Sequence, residues 1–102
     1  PSFAEIIDLL LDVRRRYMHG IQTDYFGDAH CIGWSWSGDE NARQGCAVLM
    51  SAAGQGIKTM TLKPDTQYVD ATGKIPGPIK SDHLGSIQIV CESESMSIWV
   101  PV

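Results

Sequence analysis

From Phe3 onward, Phe3, Ile6, Ile7, Leu10, Val13 and Tyr17 recur at three- and four-residue spacing, and Leu9 and Leu11 widen the stripe. This is the period of an amphipathic helix with one side turned to a core. Ser2 and Glu5 have the spacing of a capping box, which would satisfy the first free backbone N–H groups, and Gly20 offers a left-handed stop. Glu5 and Asp8 near the start and Arg14 to Arg16 near the end suit the helix dipole.

Beyond Gly20 the pattern changes to short β-type runs at 31–36, 46–51, 57–62, 67–71, 87–91 and 96–100. Turn residues separate them: Gly38-Asp39, Gly54-Gln55-Gly56, Pro64-Asp65, the 73–78 segment and Gly85. Short strands at close spacing predict a mainly β fold, an antiparallel Greek-key β-sandwich preceded by one amphipathic α-helix. The Gly54-Gln55-Gly56 and 92–95 segments read as hairpin turns. Residues 1–20 and 21–102 therefore form two different kinds of unit.

A sandwich of that size can fill its own core, whereas six or more large apolar side chains on one helix cannot stay in water without cost. Burial of each contributes ~1.5–3 kcal/mol. Either the helix caps a face of the sheet or it belongs to a preceding domain. The second reading is preferred here, because no other helix in the chain offers a matching stripe; it makes residues 1–20 the terminal helix of a missing unit.

Composition narrows the partners. With 8 Lys and Arg against 12 Asp and Glu the net charge is -4, and basic residues cluster nowhere except Arg14 to Arg16, so no nucleic-acid partner is expected. No apolar run approaches the ~18–20 residues needed to span a bilayer, so no membrane partner is expected either. Cys31, Cys46 and Cys91 are an odd number without C-x-x-C spacing. This opposes both a closed disulfide framework and a zinc knuckle, and free thiols lean toward a cytoplasmic, reducing setting. The chain starts at Pro1, so upstream address signals stay outside this reading.

Candidate chemistry is sparse. His19, His30 and His83 fall at a helix end and in turn-like segments, and none has metal-binding spacing. Cys31 beside His30 would need both side chains on one side, but neighbours on a strand point to opposite sides. Glu92 and Glu94 alternate onto one side of a solvated turn, and Gly54-Gln55-Gly56 has neither the lysine nor the helix of a phosphate loop. No catalytic residue and no metal ligand is assigned. The aromatics remain: Trp34 and Trp36 share one face of a strand, either in a core or as a stacking platform for sugar rings, with Tyr68 in the same position of choice.

Several segments, taken in order, resemble one family. Asp24-Tyr25-Phe26, Ile32-Gly33-Trp34 and Gly38-Asp39 are similar to the D-Y-F…I-G-W-x-x-x-G-D run of the bacterial liquefying type of α-amylase, glycoside hydrolases acting on α-1,4-glucans. Arg14 to Tyr17 resembles the end of their last barrel helix. Gly54 to Lys58 resembles a glycine-rich hairpin, Asp70-Ala71-Thr72-Gly73 an aspartate-x-Thr-Gly turn, and Ser97 to Val100 the closing strand.

The resemblance implies that 1–20 is the final helix of a (β/α)8 barrel and 21–102 the C-terminal domain, with the catalytic carboxylates on barrel loops outside this chain. It implies a non-catalytic domain that covers and stabilises the barrel, its partner in the same polypeptide. It also implies that a calcium ion held between barrel and domain in some members is lost, because His30 and Ala52 stand where ligand aspartates would. Trp36 stands where the family often has a basic residue. Two other readings follow from the residues: a carbohydrate-binding module stacking α-glucan on Trp36, with Trp34 or Tyr68, and a free-standing domain that self-associates through its helix.

Overall fold

The structure is a computed structural model that describes residues 3–28, 30–38 and 45–102; Ser2 of the expected capping box and Asp39 of the Gly38 turn lie outside the described residues. The chain order is helix α1 (Phe3–Tyr17), then β1 (Gln22–Asp28), β2 (Cys31–Trp36), β3 (Ala47–Ser51), β4 (Gly56–Thr61), β5 (Gln67–Asp70), β6 (Ile79–Lys80), β7 (Ser86–Cys91) and β8 (Ser95–Pro101). A six-stranded sheet has the order β1-β2-β3-β8-β5-β6, and β4 pairs with β7 in a second, two-stranded sheet. Every pairing is antiparallel. The expected antiparallel sandwich with one leading helix is the observed fold.

The two faces of the large sheet follow from strict alternation. Cys31, Gly33 and Ser35 on β2 lie in register with Ser51, Leu49 and Ala47 on β3, and these with Ser95, Ser97 and Trp99 on β8. This inner face meets Met60, Ile87, Ile89 and Cys91 of the small sheet in the main core. The outer face carries Val48, Ile98 and Val100, and α1 lies over it through Val13, Leu9, Leu10 and Tyr17. The molecule thus has three layers: helix, six-stranded sheet and two-stranded sheet.

That arrangement corrects the expectation that the helix has no partner within the chain. The small sheet covers one face of the large one, and without α1 the other face would leave Val48, Ile98 and Val100 in water. Val13 is 2% exposed, while Ile7 at 41% and Leu11 at 58% point away from the sheet. The stripe is wider than one contact surface, because Ile7 and Leu11 lie more than a quarter turn around the helix from Val13.

Two hairpin expectations also change. β3 and β4 belong to different sheets, as do β7 and β8, so 52–55 and 92–94 are corners that pass between sheets. Buried polar groups tie the sheets together. Trp99 Nε1–H donates to Ser97 Oγ at 2.9 Å and Ser97 Oγ donates to the Val90 carbonyl at 2.7 Å, linking β8 to β7. At the edge, Thr61 N–H donates to Tyr25 Oη at 3.1 Å, and that hydroxyl also shares a hydrogen bond with Ser35 Oγ at 3.0 Å.

Candidate functional site

The aromatic candidates part company. Trp34 and Trp36 do share a face, the outer one, where both are half-buried against the helix-side cluster. Trp34 meets the exposed ring of Phe26 edge to face, with centroids 5.4 Å apart and planes at 82°. Tyr68 is a correction: its alternation turns it to the inner face, where it is 1% exposed. Its hydroxyl accepts a hydrogen bond from Lys63 N–H at 3.2 Å. Burial pushes the phenol up, against the lowering effect of that bond. Its ring has no free face for a sugar.

The three histidines lie in three separate segments. His19 Nε2 is bonded to the Arg15 carbonyl at 2.8 Å at the end of α1. His83 lies in the turn where Asp82 Oδ1 accepts from Leu84 N–H and Ser86 N–H, each at 2.9 Å, bonds that hold the Asp82 carboxyl below its ordinary range. His30 is exposed while its neighbour Cys31 is buried inward, so the two do not form a nucleophile and base. Glu92 and Glu94 are exposed at the β7–β8 corner. Among the described residues no three His, Cys, Asp or Glu side chains gather as a metal site.

An open cavity of about 440 Å³ lies between the start of α1 and the ends of β2, β3 and β8. Ile6, Ile32, Met50 and Met96 line it, with His30, Ala52, Lys74 and Glu94 among its polar and small members. His30 and Ala52 are brought together there, since Ala52 N–H donates to the His30 carbonyl at 2.8 Å. An imidazole and a methyl do not fit calcium, which takes six to eight oxygen ligands. Lys74 Nζ donates to Ser95 Oγ at 2.7 Å on the same lining. The lining is mainly apolar, with one basic and one acidic side chain, Lys74 and Glu94.

One buried carboxylate outside the candidate residues holds a structural position. Asp70 ends β5, is 7% exposed, and accepts hydrogen bonds from Thr72 N–H, Ile75 N–H and Ile98 N–H at 3.0–3.1 Å and from Thr72 Oγ1 at 2.8 Å. Both carboxylate oxygens are engaged. The Asp-x-Thr-Gly spacing was its signal, pointing to a turn rather than to catalysis.

Comparison with known proteins adds a parentage. No family model matches the chain. It is 33% identical over 99 residues to a cytoplasmic α-amylase of Escherichia coli (strain K12), covering 94% of this chain and 20% of that protein. It is 32% identical over 106 residues to a glucan 1,4-alpha-maltohexaosidase of Bacillus sp. (strain 707), covering 98% and 20%. An α-amylase of Geobacillus stearothermophilus is 34% identical over 107 residues, covering 99% and 19%. The chain spans about one fifth of the length of the curated relatives it matches. A continuous match along almost all of this chain, repeated in several such proteins and joined to an antiparallel β-sandwich, makes the chain a domain-sized member of the α-amylase family.

Proposed function

We propose that the chain is the non-catalytic C-terminal domain of an α-amylase-like α-1,4-glucan hydrolase, and that it covers and stabilises the catalytic barrel. The observation that carries this reading is the helix with two apolar sides: Val13, Leu9 and Leu10 lie on the sheet, while Ile7 and Leu11 stay exposed beside them. A helix shared between the sandwich and a preceding barrel would need both sides. The three free thiols and the cytoplasmic α-amylase among the relatives favour a reducing compartment for the parent. With His30 and Ala52 at the cavity, no calcium joins the two parts in this reading.

The purified chain is expected to release no reducing sugar from soluble starch; measurable hydrolysis would sink the proposal. Ile7→Ser with Leu11→Ser is expected to change the isolated chain by no more than ~0.5 kcal/mol, as exposed substitutions do. In the parent enzyme the same pair should lower the unfolding midpoint, since each side chain buried in a contact contributes up to ~1.5–3 kcal/mol. Equal effects in both settings would remove the shared helix from the account.

The Phe26–Trp34 pair keeps a carbohydrate-binding reading open to test. Tryptophan emission is expected to stay fixed when maltoheptaose is titrated in, because Trp34 and Trp36 are half-buried under α1 and Tyr68 is enclosed. A saturable shift abolished by Phe26→Ala would instead assign a sugar site to that edge.

A further inference from the structure

Two of the three thiols meet at one corner of the sandwich. Cys31 opens β2 on the inner face of the large sheet, and Cys91 closes β7 in the small sheet, opposite Gly56 at the start of β4. Cys31 is 7% exposed and Cys91 0%. A Cβ placed on Gly56 would stand 2.9 Å from each of the two sulfurs and 3.2 Å from Ser51 Cβ on β3. The sulfurs are therefore no further apart than twice 2.9 Å, and they face the space that a side chain at 56 would fill. The same glycine lets the two sheets approach closely at this corner.

Cys46 has different surroundings. It lies on the helix side of the large sheet, in a separate cluster with Val13, Val48 and Ile98. The inner pair is distinguished by mutual proximity, and each member comes from a different sheet. A disulfide needs its Cβ atoms ~3.5–4.5 Å apart and its sulfurs ~2.05 Å apart. With no side chain at Gly56, the space that both sulfurs face stays open to them.

We propose that Cys31 and Cys91 are a modification site, a thiol pair that closes into an inter-sheet disulfide when it meets a small disulfide compound such as oxidised glutathione. Cys31, the more exposed, attacks as thiolate one sulfur of that compound, breaking its S–S bond and releasing one glutathione thiolate. Cys91 then attacks the Cys31 sulfur as thiolate, forming the protein S–S bond and releasing the second glutathione. Two protons pass from the protein thiols to the released thiolates, and the two electrons lost by the pair reduce one oxidised glutathione to two thiols. The cross-link pins the small sheet to the large one at the 52–55 corner, and it reopens in a reducing compartment.

The test uses the whole chain in its native state, incubated with oxidised glutathione, quenched with acid, alkylated after denaturation and mapped by mass spectrometry. The expected product is a Cys31–Cys91 peptide pair two hydrogens lighter than its parts, with Cys46 alkylated. The unfolding midpoint should rise by at least ~5 °C and return on reduction. Cys91→Ser should trap a glutathione adduct on Cys31, and Gly56→Ala, which crowds both sulfurs, should lower the yield of the link several-fold. Glutathione adducts without an internal link in the unmodified chain, a link through Cys46, or three alkylated cysteines would each overturn the proposal, and the unmodified chain decides this even where a variant fails to fold.

Discussion

Replacing Asp70 by alanine is expected to cost the fold about 3–5 kcal/mol, read as a shift in the urea midpoint at unchanged slope. The carboxylate closes a knot of three backbone N–H groups and one hydroxyl. Alanine would leave Ile98 N–H without its acceptor in a buried position, where an unsatisfied donor costs ~1–3 kcal/mol. Thr72 N–H and Ile75 N–H are partly buried, so water would offset a part of their loss. Small domains are stable by only ~5–15 kcal/mol in total, so this one side chain holds a large share of the margin.

The position of the knot explains why so much depends on it. Asp70 ends β5 opposite Trp99 of β8, and its carboxylate fastens the following turn, where Gly73 has a positive φ of 77°, to the central strand. Asp70→Asn keeps the shape but turns one acceptor oxygen into an NH2 group that faces a donor. It is expected to fall between wild type and Asp70→Ala, at about 1–3 kcal/mol. A loss under ~1 kcal/mol for alanine would mean that the turn finds other partners and that the knot is incidental.

Much of this architecture is legible in the sequence, and the gaps have physical causes. The helix declares itself because its period is long and its stripe unbroken from Ile6 to Tyr17. β3 and β8 read as apolar runs, Ala47-Val48-Leu49 and Ile98-Trp99-Val100, because layers on both sides bury them. β1 escapes notice for the opposite reason: Gln22, Thr23, Asp24 and Phe26 are exposed on an edge strand, where no alternation is demanded. β6 has two residues, too few for any period.

Connectivity and coverage are harder to read than element type. A glycine-rich link between two strands looks the same whether the strands pair or part, so Gly54-Gln55-Gly56 and 92–95 read as hairpins although each passes between sheets. Alternation put Trp34 and Trp36 on one face, but nothing local says that α1 covers that face. Tyr68 had the same ambiguity and fell on the inner side. The meeting of Cys31 and Cys91 over Gly56 joins positions far apart in the chain and needed the fold.

Val13→Asp should be the most damaging change on the helix. Val13 is 2% exposed and packs with Cys46, Val48, Ile98 and Val100, so a carboxylate there would be desolvated among apolar groups. A loss of at least about 3 kcal/mol is expected in chemical denaturation, against roughly 2 kcal/mol for Val13→Ala, which removes only methyl groups. Leu11→Asp, on the exposed side of the same helix at 58%, should change stability by no more than ~0.5 kcal/mol. The contrast separates two views of α1. If the helix were an appendage awaiting a barrel, Val13→Asp and Leu11→Asp would be equally mild in the isolated chain. If it is the third layer of this fold, the first substitution strips the outer face of the large sheet and exposes Val48, Ile98 and Val100 together, and the loss of the helix and of the sandwich should appear as one transition by far-UV circular dichroism and tryptophan fluorescence.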